Sequence, residues 1–416
     1  MTMATFTTWA IAGLATAGVI ARPMRWPEWI WALAGAALLI LLGLMPAAAA
    51  GVAVAKGLDV YLFLVGMMLL SEAAREHGVF DWVAATAVNH AGRSRARLFA
   101  LVYATGVVVT TFMSNDATAV VLTPAVFAAA RKAKADPLPL LFACALIANA
   151  ASFVLPISNP ANLVLYGGHM PPLAQWLRSF ALPSLASVAV TFVALRVIER
   201  ERLAGDCESD VARPALSIGG KVAAAGILST AALLVTVSAL DRQLGLPAAL
   251  AGIVTAASVS ALARRSPMIL VRGVSWGVLP LVAGLFVLVE ALDRTGVIGL
   301  VAAALRGTTG DPRGGAAASG AIVALASNLM NNLPAGLIAS TAVAQAHPPA
   351  VVTDALLIGV DLGPNLSVTG SLATILWLQV IRREGEDVGF RAFLKVGAVT
   401  MPLALVAALG VRLALG

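Results

Sequence analysis

The chain has 416 residues, of which 60% are hydrophobic and only 12% are charged, and its net charge is +7. A soluble domain is about 25% charged, so the excess of apolar residues must face lipid rather than water, and the basic excess is typical of cytoplasmic loops rather than of nucleic-acid binding. Two cysteines and four histidines exclude a disulfide framework and a set of zinc sites, and we therefore expect an all-α polytopic membrane protein without metal or cofactor.

Apolar stretches of membrane-spanning length follow one another along the chain. The first one, from Phe6 to Ile20, has its basic residues, Arg22 and Arg25, after it. A cleaved signal peptide has the opposite polarity, so we interpret this stretch as a membrane helix. The predicted segments are 5–21, 28–46, 58–76, 96–130, 138–170, 174–197, 216–238, 245–263, 273–292, 315–346, 351–381 and 392–414, with a short interfacial helix at 79–90.

Four of these segments are interrupted by polar residues, proline or glycine. Two are too long for one crossing and are predicted to be re-entrant hairpins, and the other two are predicted to be helices broken at the membrane midplane. The hairpins are 96–130, broken at 114–116, and 315–346, broken at 331–332; the broken helices are 138–170, interrupted at 156–160, and 351–381, interrupted at 363–371. About ten transmembrane helices then remain, and most Lys and Arg residues fall on one side, which we predict to be cytoplasmic.

The two halves of the chain resemble each other. Leu70-Ser71-Glu72-Ala73 matches Leu288-Val289-Glu290-Ala291, and the broken segments align as well, with Asp361 opposite Asn149. In the predicted threading the matching helices run in opposite directions, so the repeats are inverted, as in many secondary transporters. The predicted parts are N-terminal scaffold helices at 1–57, a first inverted repeat at 58–198, a mobile cytoplasmic linker at 199–215 and a second inverted repeat at 216–416.

Carboxamides and hydroxyls are concentrated at the four breaks. A broken helix is tolerated in a membrane only where it lines a cavity or is buried in protein, so matching breaks predict one central site. Carboxamides donate and accept, which suits a neutral polyhydroxylated solute or a coordinated cation. Capping of the half-helices is the structural alternative for the same residues. The candidate substrate-binding residues are Ser114, Asn115, Ser158, Asn159, Asn162, Asn331, Asn332, Thr369 and Ser371.

Few ionisable residues lie away from the predicted membrane surfaces, and each is a candidate for transport. We expect Asp116 to be the proton-coupling carboxylate, since the second hairpin has Leu333 in its place. Its alternative role is as the N-cap of the following helix. Asp361 is the second candidate for proton coupling. Glu72 and Glu290 stand at helical spacing from arginines, which favours structural pairing.

Other chemistries find little support in the sequence. No G-x-x-x-x-G-K-[ST] motif is present, so the chain does not hydrolyse nucleotide by that route and we expect a transporter rather than an enzyme. Cys144 and Cys207 are expected to lie too far apart to pair. The histidines form no ligand pair and fall near predicted membrane surfaces; they are His77, His90, His169 and His347.

Four runs closely resemble the arsenical pump membrane protein (ArsB) family of the ion transporter superfamily; they lie at 111–116, 155–163, 328–334 and 359–374. The resemblance implies export of arsenite and antimonite across the bacterial inner membrane in exchange for protons, optionally assisted by an ArsA-type ATPase. It also implies a scaffold domain and a transport domain that moves as an elevator. The family's binding residues lie at hairpin tips and helix breaks, where this chain departs from a Pro-Ile-Gly type of second break by having Ser367-Val368-Thr369-Gly370.

A different class of transporter remains as the alternative. A sodium/proton antiporter or a sodium-coupled carboxylate transporter of the same superfamily needs a dehydrated cation site, and the carboxylate also needs basic or N–H-rich contacts. No Arg or Lys lies near the four breaks, which disfavours the carboxylate. Arsenite is a neutral trihydroxide at neutral pH and suits carboxamides and hydroxyls, and a site without thiols releases it readily.

Overall fold

A computed structural model describes residues 2–167, 170–208 and 211–416, so that His169 and Asp210 lie outside it. The described residues form twenty α-helices. They are α1 (Met3–Ala21), α2 (Glu28–Leu41), α3 (Ala47–Lys56), α4 (Leu58–Glu76), α5 (Val79–His90), α6 (Arg95–Phe112), α7 (Thr123–Lys132), α8 (Pro137–Ala150), α9 (Pro160–Tyr166), α10 (Leu173–Ile198), α11 (Ile218–Ala239), α12 (Gly245–Leu262), α13 (Met268–Gly273), α14 (Val278–Arg294), α15 (Val297–Gly307), α16 (Pro312–Met330), α17 (Asn332–Ala346), α18 (Ala350–Leu362), α19 (Leu372–Arg383) and α20 (Phe390–Leu415).

The helices confirm the predicted polytopic membrane fold. Within the described residues six helices are long and apolar enough to span a bilayer, namely α1, α6, α10, α11, α12 and α20, and α3 with α4 forms a further span bent by 50°. Helices α2 and α14 are shorter, and the pairs α8–α9 and α18–α19 are each interrupted. If α6 is counted as an arm of the first hairpin and not as a crossing, the other helices and helix pairs named here account for the predicted crossings.

Both hairpins and both broken helices begin and end where the sequence predicts. Helix α6 ends at Phe112, and after the tip a π-helical turn, Ala117–Leu122, leads into α7. The second hairpin turns at Asn331, between α16 and α17. Proline at the first position of α9 and serine as the N-cap of α19 start the second half-helices. The local chemistry of the sequence thus determines the four breaks.

The two repeats exchange helices with each other. Helix α2 packs along α14 of the second repeat, and α12 packs in the same way along α4 of the first, while α10 packs along α20. The contact between α4 and α12 is close, because Gly66 and Gly252 place one backbone against the other. The exchange gives the protein its inverted two-fold organisation; the domain boundaries given above remain a prediction.

The predicted linker is attached to the first repeat by backbone hydrogen bonds. The N–H of Cys207 donates to the carbonyl of Arg93 at 2.9 Å, and the N–H of Glu208 donates to that of Ala133 at 2.8 Å. Further along, the side chain of Asn89 forms two hydrogen bonds with the backbone of Val211. The described part of the linker therefore follows the surface of the repeat rather than hanging free. Cys144 and Cys207 are both buried and unpaired.

Candidate functional site

The four breaks meet around one small cavity at the centre of the molecule. Its polar lining comes from Asn115 and Asp116 at the first hairpin tip, Asn332 at the second, and Asn159 at the first helix break. The opposite wall is apolar and is supplied by two helices at matching positions in the repeats; its residues are Val60 and Leu64 on α4 and Val278 and Val282 on α14. The cavity therefore has carboxamides and one carboxylate on one wall and aliphatic side chains on the other.

At the first hairpin tip Asp116 is free to face the cavity because its neighbours satisfy the backbone. The Oδ1 atom of Asn115 accepts from the N–H of Asp116 at 2.9 Å, and the Oγ atom of Ser114 accepts from the N–H of Ala117 at 3.3 Å. The Asp116 side chain makes no capping hydrogen bond, so the N-cap alternative does not hold. Among the described residues no side chain hydrogen bonds to its carboxylate, which lines the cavity.

The second hairpin tip is held by the side chain of Asn331 and by the backbone of the second helix break. Asn331 has φ 75° and ψ 154°, an unusual conformation for a residue other than glycine, and its Oδ1 atom accepts from the N–H of Leu333 at 3.3 Å. The N–H of Asn332 donates to the carbonyl of Gly370 at 2.8 Å. Asn331 therefore shapes the tip, while Asn332 and Leu333 line the cavity.

At the first helix break Asn159 and Pro160 reach the cavity, whereas Ser158 and Asn162 do not. Ser158 accepts from the N–H of Leu155 at 3.1 Å and donates to the carbonyl of Thr111 at 3.0 Å. The Nδ2 atom of Asn162 is directed at three carbonyls of the break, of which that of Ser152 is nearest at 2.9 Å. Ser158 and Asn162 thus satisfy the interrupted backbone and lie behind the cavity wall.

The second break is held together in the same manner. Thr369 donates to the carbonyl of Asn328 at 3.0 Å, and Ser367 donates to the Oδ1 atom of Asn328 at 2.7 Å. Ser371 is the N-cap of α19 and accepts from the N–H of Thr374 at 3.1 Å. Neither Thr369 nor Ser371 lines the cavity. Asn328 was not singled out by the sequence, because it precedes the recognised break by one helical turn.

Hydrogen bonds between the two repeats join the breaks behind the cavity. The Nδ2 atom of Asn159 donates to Oδ1 of Asp361 at 2.8 Å, across 202 residues of chain. Ser371 donates to Oδ1 of Asn149 at 3.3 Å, and the Nδ2 atom of Asn149 donates to Asn365 at 3.0 Å. Asp361 is fully buried and does not line the cavity, whereas its hydrogen-bond partner Asn159 does. Asn149 joins the breaks without lining the cavity; it was not singled out from the sequence for this structural role, although its alignment with Asp361 was the available signal.

A larger space of about 460 Å³, the vestibule, adjoins the cavity. Asp116 lines both spaces, and the vestibule is also lined by Glu72, Arg75, Arg383 and Glu384. Glu72 pairs with Arg75 at 2.8 Å, which agrees with its predicted structural role. Its counterpart in the second repeat is also paired, as Glu290 contacts Lys56 at 2.8 Å and Arg294 at 3.4 Å.

Comparison with known proteins places this architecture in a family. The model of the citrate transporter family matches residues 16–361. Arsenical pump membrane proteins of Escherichia coli and Yersinia enterocolitica are each 28% identical to the chain, over 84% of it and 85% of their own length. The crystal structure of the YdaH transporter of Alcanivorax borkumensis has the same fold, with a TM-score of 0.58 at 15% identity and coverage of 99% of this chain and 98% of that one. The chain belongs to the citrate transporter family and is a membrane transporter similar to the arsenical pump membrane proteins.

Proposed function

We propose that the protein exports arsenite and antimonite across the inner membrane in exchange for protons. The observation that carries this proposal is the chemistry of the cavity, in which one unpaired carboxylate, Asp116, stands among the carboxamides of Asn115, Asn159 and Asn332. Carboxamides exchange hydrogen bonds with the hydroxyls of a neutral trihydroxide. Among the described lining residues there is no Arg or Lys, so a citrate-like anion would find no positive charge to compensate its own.

Asp116 supplies the coupling in this proposal. It holds a proton when the cavity contains no substrate and releases that proton when arsenite binds beside it. Asp116 also lines the vestibule, through which a proton reaches water. One charge moved across 100 mV corresponds to about 2.3 kcal/mol, which sets the scale of the driving force.

Alternating access follows from the division of the cavity wall. The aliphatic side chains of α4 and α14 belong to the scaffold, and the polar groups belong to the hairpins and broken helices of the transport domain. An apolar face without cross-linking hydrogen bonds allows one domain to slide along the other, as an elevator requires. Arg75 and Arg383 line the vestibule, and basic residues favour the cytoplasmic side; in this proposal the vestibule opens to the cytoplasm and this conformation faces inward.

Transport by everted membrane vesicles tests the proposal. We expect arsenite uptake to follow an imposed proton gradient, and Asp116→Asn to reduce that uptake by about 100-fold or more, since the amide cannot ionise. Arsenite-for-arsenite exchange without a gradient should survive in Asp116→Asn, because the amide still forms hydrogen bonds. The control is Glu290→Gln, which neutralises a carboxylate outside the cavity and should transport normally.

The same vesicles distinguish proton-coupled arsenite export from sodium-coupled carboxylate transport. Arsenite uptake that persists after the proton gradient is collapsed would contradict proton exchange. Accumulation of citrate driven by sodium, with no arsenite transport, would instead identify a sodium-coupled carboxylate transporter. Full proton-driven uptake by Asp116→Asn would show that Asp116 is not the coupling group.

A further inference from the structure

The geometry behind the cavity points to a second proton site. We infer that Asp361 carries a proton in addition to the one on Asp116, and that Asn159 is the positioning residue that links this proton to the substrate. The inference rests on the proposed function and extends it from one exchanged proton to two. It assigns separate tasks to the carboxylates: Asp116 faces the cavity, and Asp361 acts on it through an amide.

The hydrogen bonding of Asp361 is incomplete. Its Oδ1 atom accepts from Nδ2 of Asn159 at 2.8 Å. The hydroxyl of Ser152 lies beside the carboxylate but donates to the carbonyl of Asn149 at 2.7 Å, so no described residue donates to the buried Oδ2 atom. An ionised carboxylate that is fully buried without a cation costs several kcal/mol. A proton on Oδ2 removes that charge and leaves the bond to Asn159 in place.

The surroundings of Asp361 provide no compensating charge. The helices packed against α18 are α8, α9, α16, α17 and α20. On α9 and α20, Tyr166 and Arg412 are bound to Asp354, which lies seven residues before Asp361 and so about 10 Å from it along the helix. The other titratable residues on these helices are Cys144 on α8, Arg313 at the start of α16, and Arg391 and Lys395 at the start of α20. None of them hydrogen bonds to Asp361.

Asn159 is held so that it responds to the state of Asp361. Its Oδ1 atom accepts from the N–H of Ala161 at the start of α9, at 3.0 Å, which directs its Nδ2 atom toward Asp361. The same side chain lines the cavity. Charge on Asp361 strengthens the hydrogen bond from Nδ2 and fixes the amide of Asn159 in the cavity wall, ready for the substrate. Protonation of Asp361 weakens that bond and lets the amide turn. Substrate binding and the proton on Asp361 therefore oppose each other, as exchange requires, and the effect is reciprocal.

The other repeat forms the equivalent contact without a charge. Residues 137–166 and 349–378 align at a constant offset of 212 residues, which pairs Pro137 with Pro349 and sets Asn149 opposite Asp361 and Ser371 opposite Asn159. The bond from Ser371 to Asn149, at 3.3 Å, is therefore the neutral version of the bond from Asn159 to Asp361. Since a carboxamide suffices to close this contact, the architecture does not require the carboxylate of Asp361.

Purified protein in proteoliposomes tests the inference with Asp361→Asn, which preserves shape but cannot ionise. We expect the number of protons moved per arsenite to fall to about half, because one of two carriers is lost, and the driving force from the membrane potential to fall with it. The pH dependence of arsenite binding, measured by calorimetry, should become less steep. Arsenite-for-arsenite exchange should remain within about threefold of the original rate, since the amide still contacts Asn159.

Two further variants separate coupling from structure. Asn159→Ala should flatten the pH dependence of arsenite binding in the same way as Asp361→Asn, and it provides the same readout if Asp361→Asn fails to fold. Asn149→Ser alters the neutral counterpart contact and should leave both the pH dependence and the proton count unchanged. An unaltered proton count in Asp361→Asn, with an unaltered pH profile, would overturn the inference. If the unmodified protein moves no protons with arsenite, the proposed function fails instead.

Discussion

The two repeats place the same contact at the centre of the molecule with different side chains. In one, Asn159 donates to the carboxylate of Asp361; in the other, Ser371 donates to the carboxamide of Asn149. Both contacts join the start of one second half-helix to the end of the opposite first half-helix. The repeated backbone therefore forms the site in both halves, and the ionisable side chains come from residues that differ between the two repeats.

The same difference recurs at two other matching positions. Asp116 at the first hairpin tip is matched by Leu333 at the second, and both line the cavity. Asp354 on α18 is matched by Phe142 on α8, which packs against the aromatic rings of Trp377 and Phe393. At each of these pairs, one repeat thus has a carboxylate and the other has an apolar or neutral side chain.

Breaking the ion pair of Asp354 should have the largest effect on stability. Arg412 donates to Asp354 at 2.8 Å, Tyr166 donates to its other oxygen at 2.8 Å, and both charged side chains are buried. Arg412→Met leaves the carboxylate buried without a cation, and we expect the free energy of unfolding to fall by about 3–5 kcal/mol. Equilibrium unfolding in mixed micelles measures the change.

A double substitution brings this site closer to its apolar counterpart. Asp354→Leu together with Arg412→Met removes both charges and leaves apolar side chains, as at the matching position of the first repeat, where Phe142 stands. Most of the lost stability should return, because a buried ion pair contributes little more than apolar residues of similar volume. A double variant as unstable as Arg412→Met alone would mean that packing, and not the unpaired charge, explains the loss.

An intermediate effect on stability is expected where α4 crosses α12 and where α14 crosses α2. A Cβ atom on Gly66 of α4 would overlap the backbone of Ala248 on α12, whereas one on the matching Gly284 of α14 would lie 2.8 Å from the carbonyl carbon of Ala32 on α2. We expect Gly66→Ala to cost about 1–3 kcal/mol through overpacking, and Gly284→Ala to cost less. Unfolding midpoints of the two variants test the order, and a reversed order would contradict the geometry.

The smallest effect is expected at the exposed pair of Lys56 and Glu290. The side chain of Lys56 is 57% exposed, and Glu290 also contacts Arg294. Lys56→Met should therefore change the free energy of unfolding by less than about 1 kcal/mol. The same unfolding assay applies, with Arg294→Met as the matched substitution. A loss of several kcal/mol would show that the pair holds the repeats together.

Much of the fold followed from local patterns in the sequence. The breaks at Asn115, Asn159, Asn331 and Ser371 are where the structure interrupts its helices, because proline, glycine and capping side chains act on their own turn of backbone. The site could be predicted only in part. Ser158 has a hydroxyl at a helix break, as a binding residue would. Its hydroxyl donates instead to the carbonyl of Thr111, a partner 47 residues away that the local pattern does not predict.

Composition and local patterns were enough to predict a membrane protein of two repeats, with polar residues gathered at four breaks. The packing of the helices was needed to learn which of those residues face the cavity and which bind the interrupted backbone. It also brought Asn159 and Asp361 together from 202 residues apart. The reason is physical, since a helix break depends on neighbours within one turn, whereas the partner of a buried polar side chain depends on how distant helices pack.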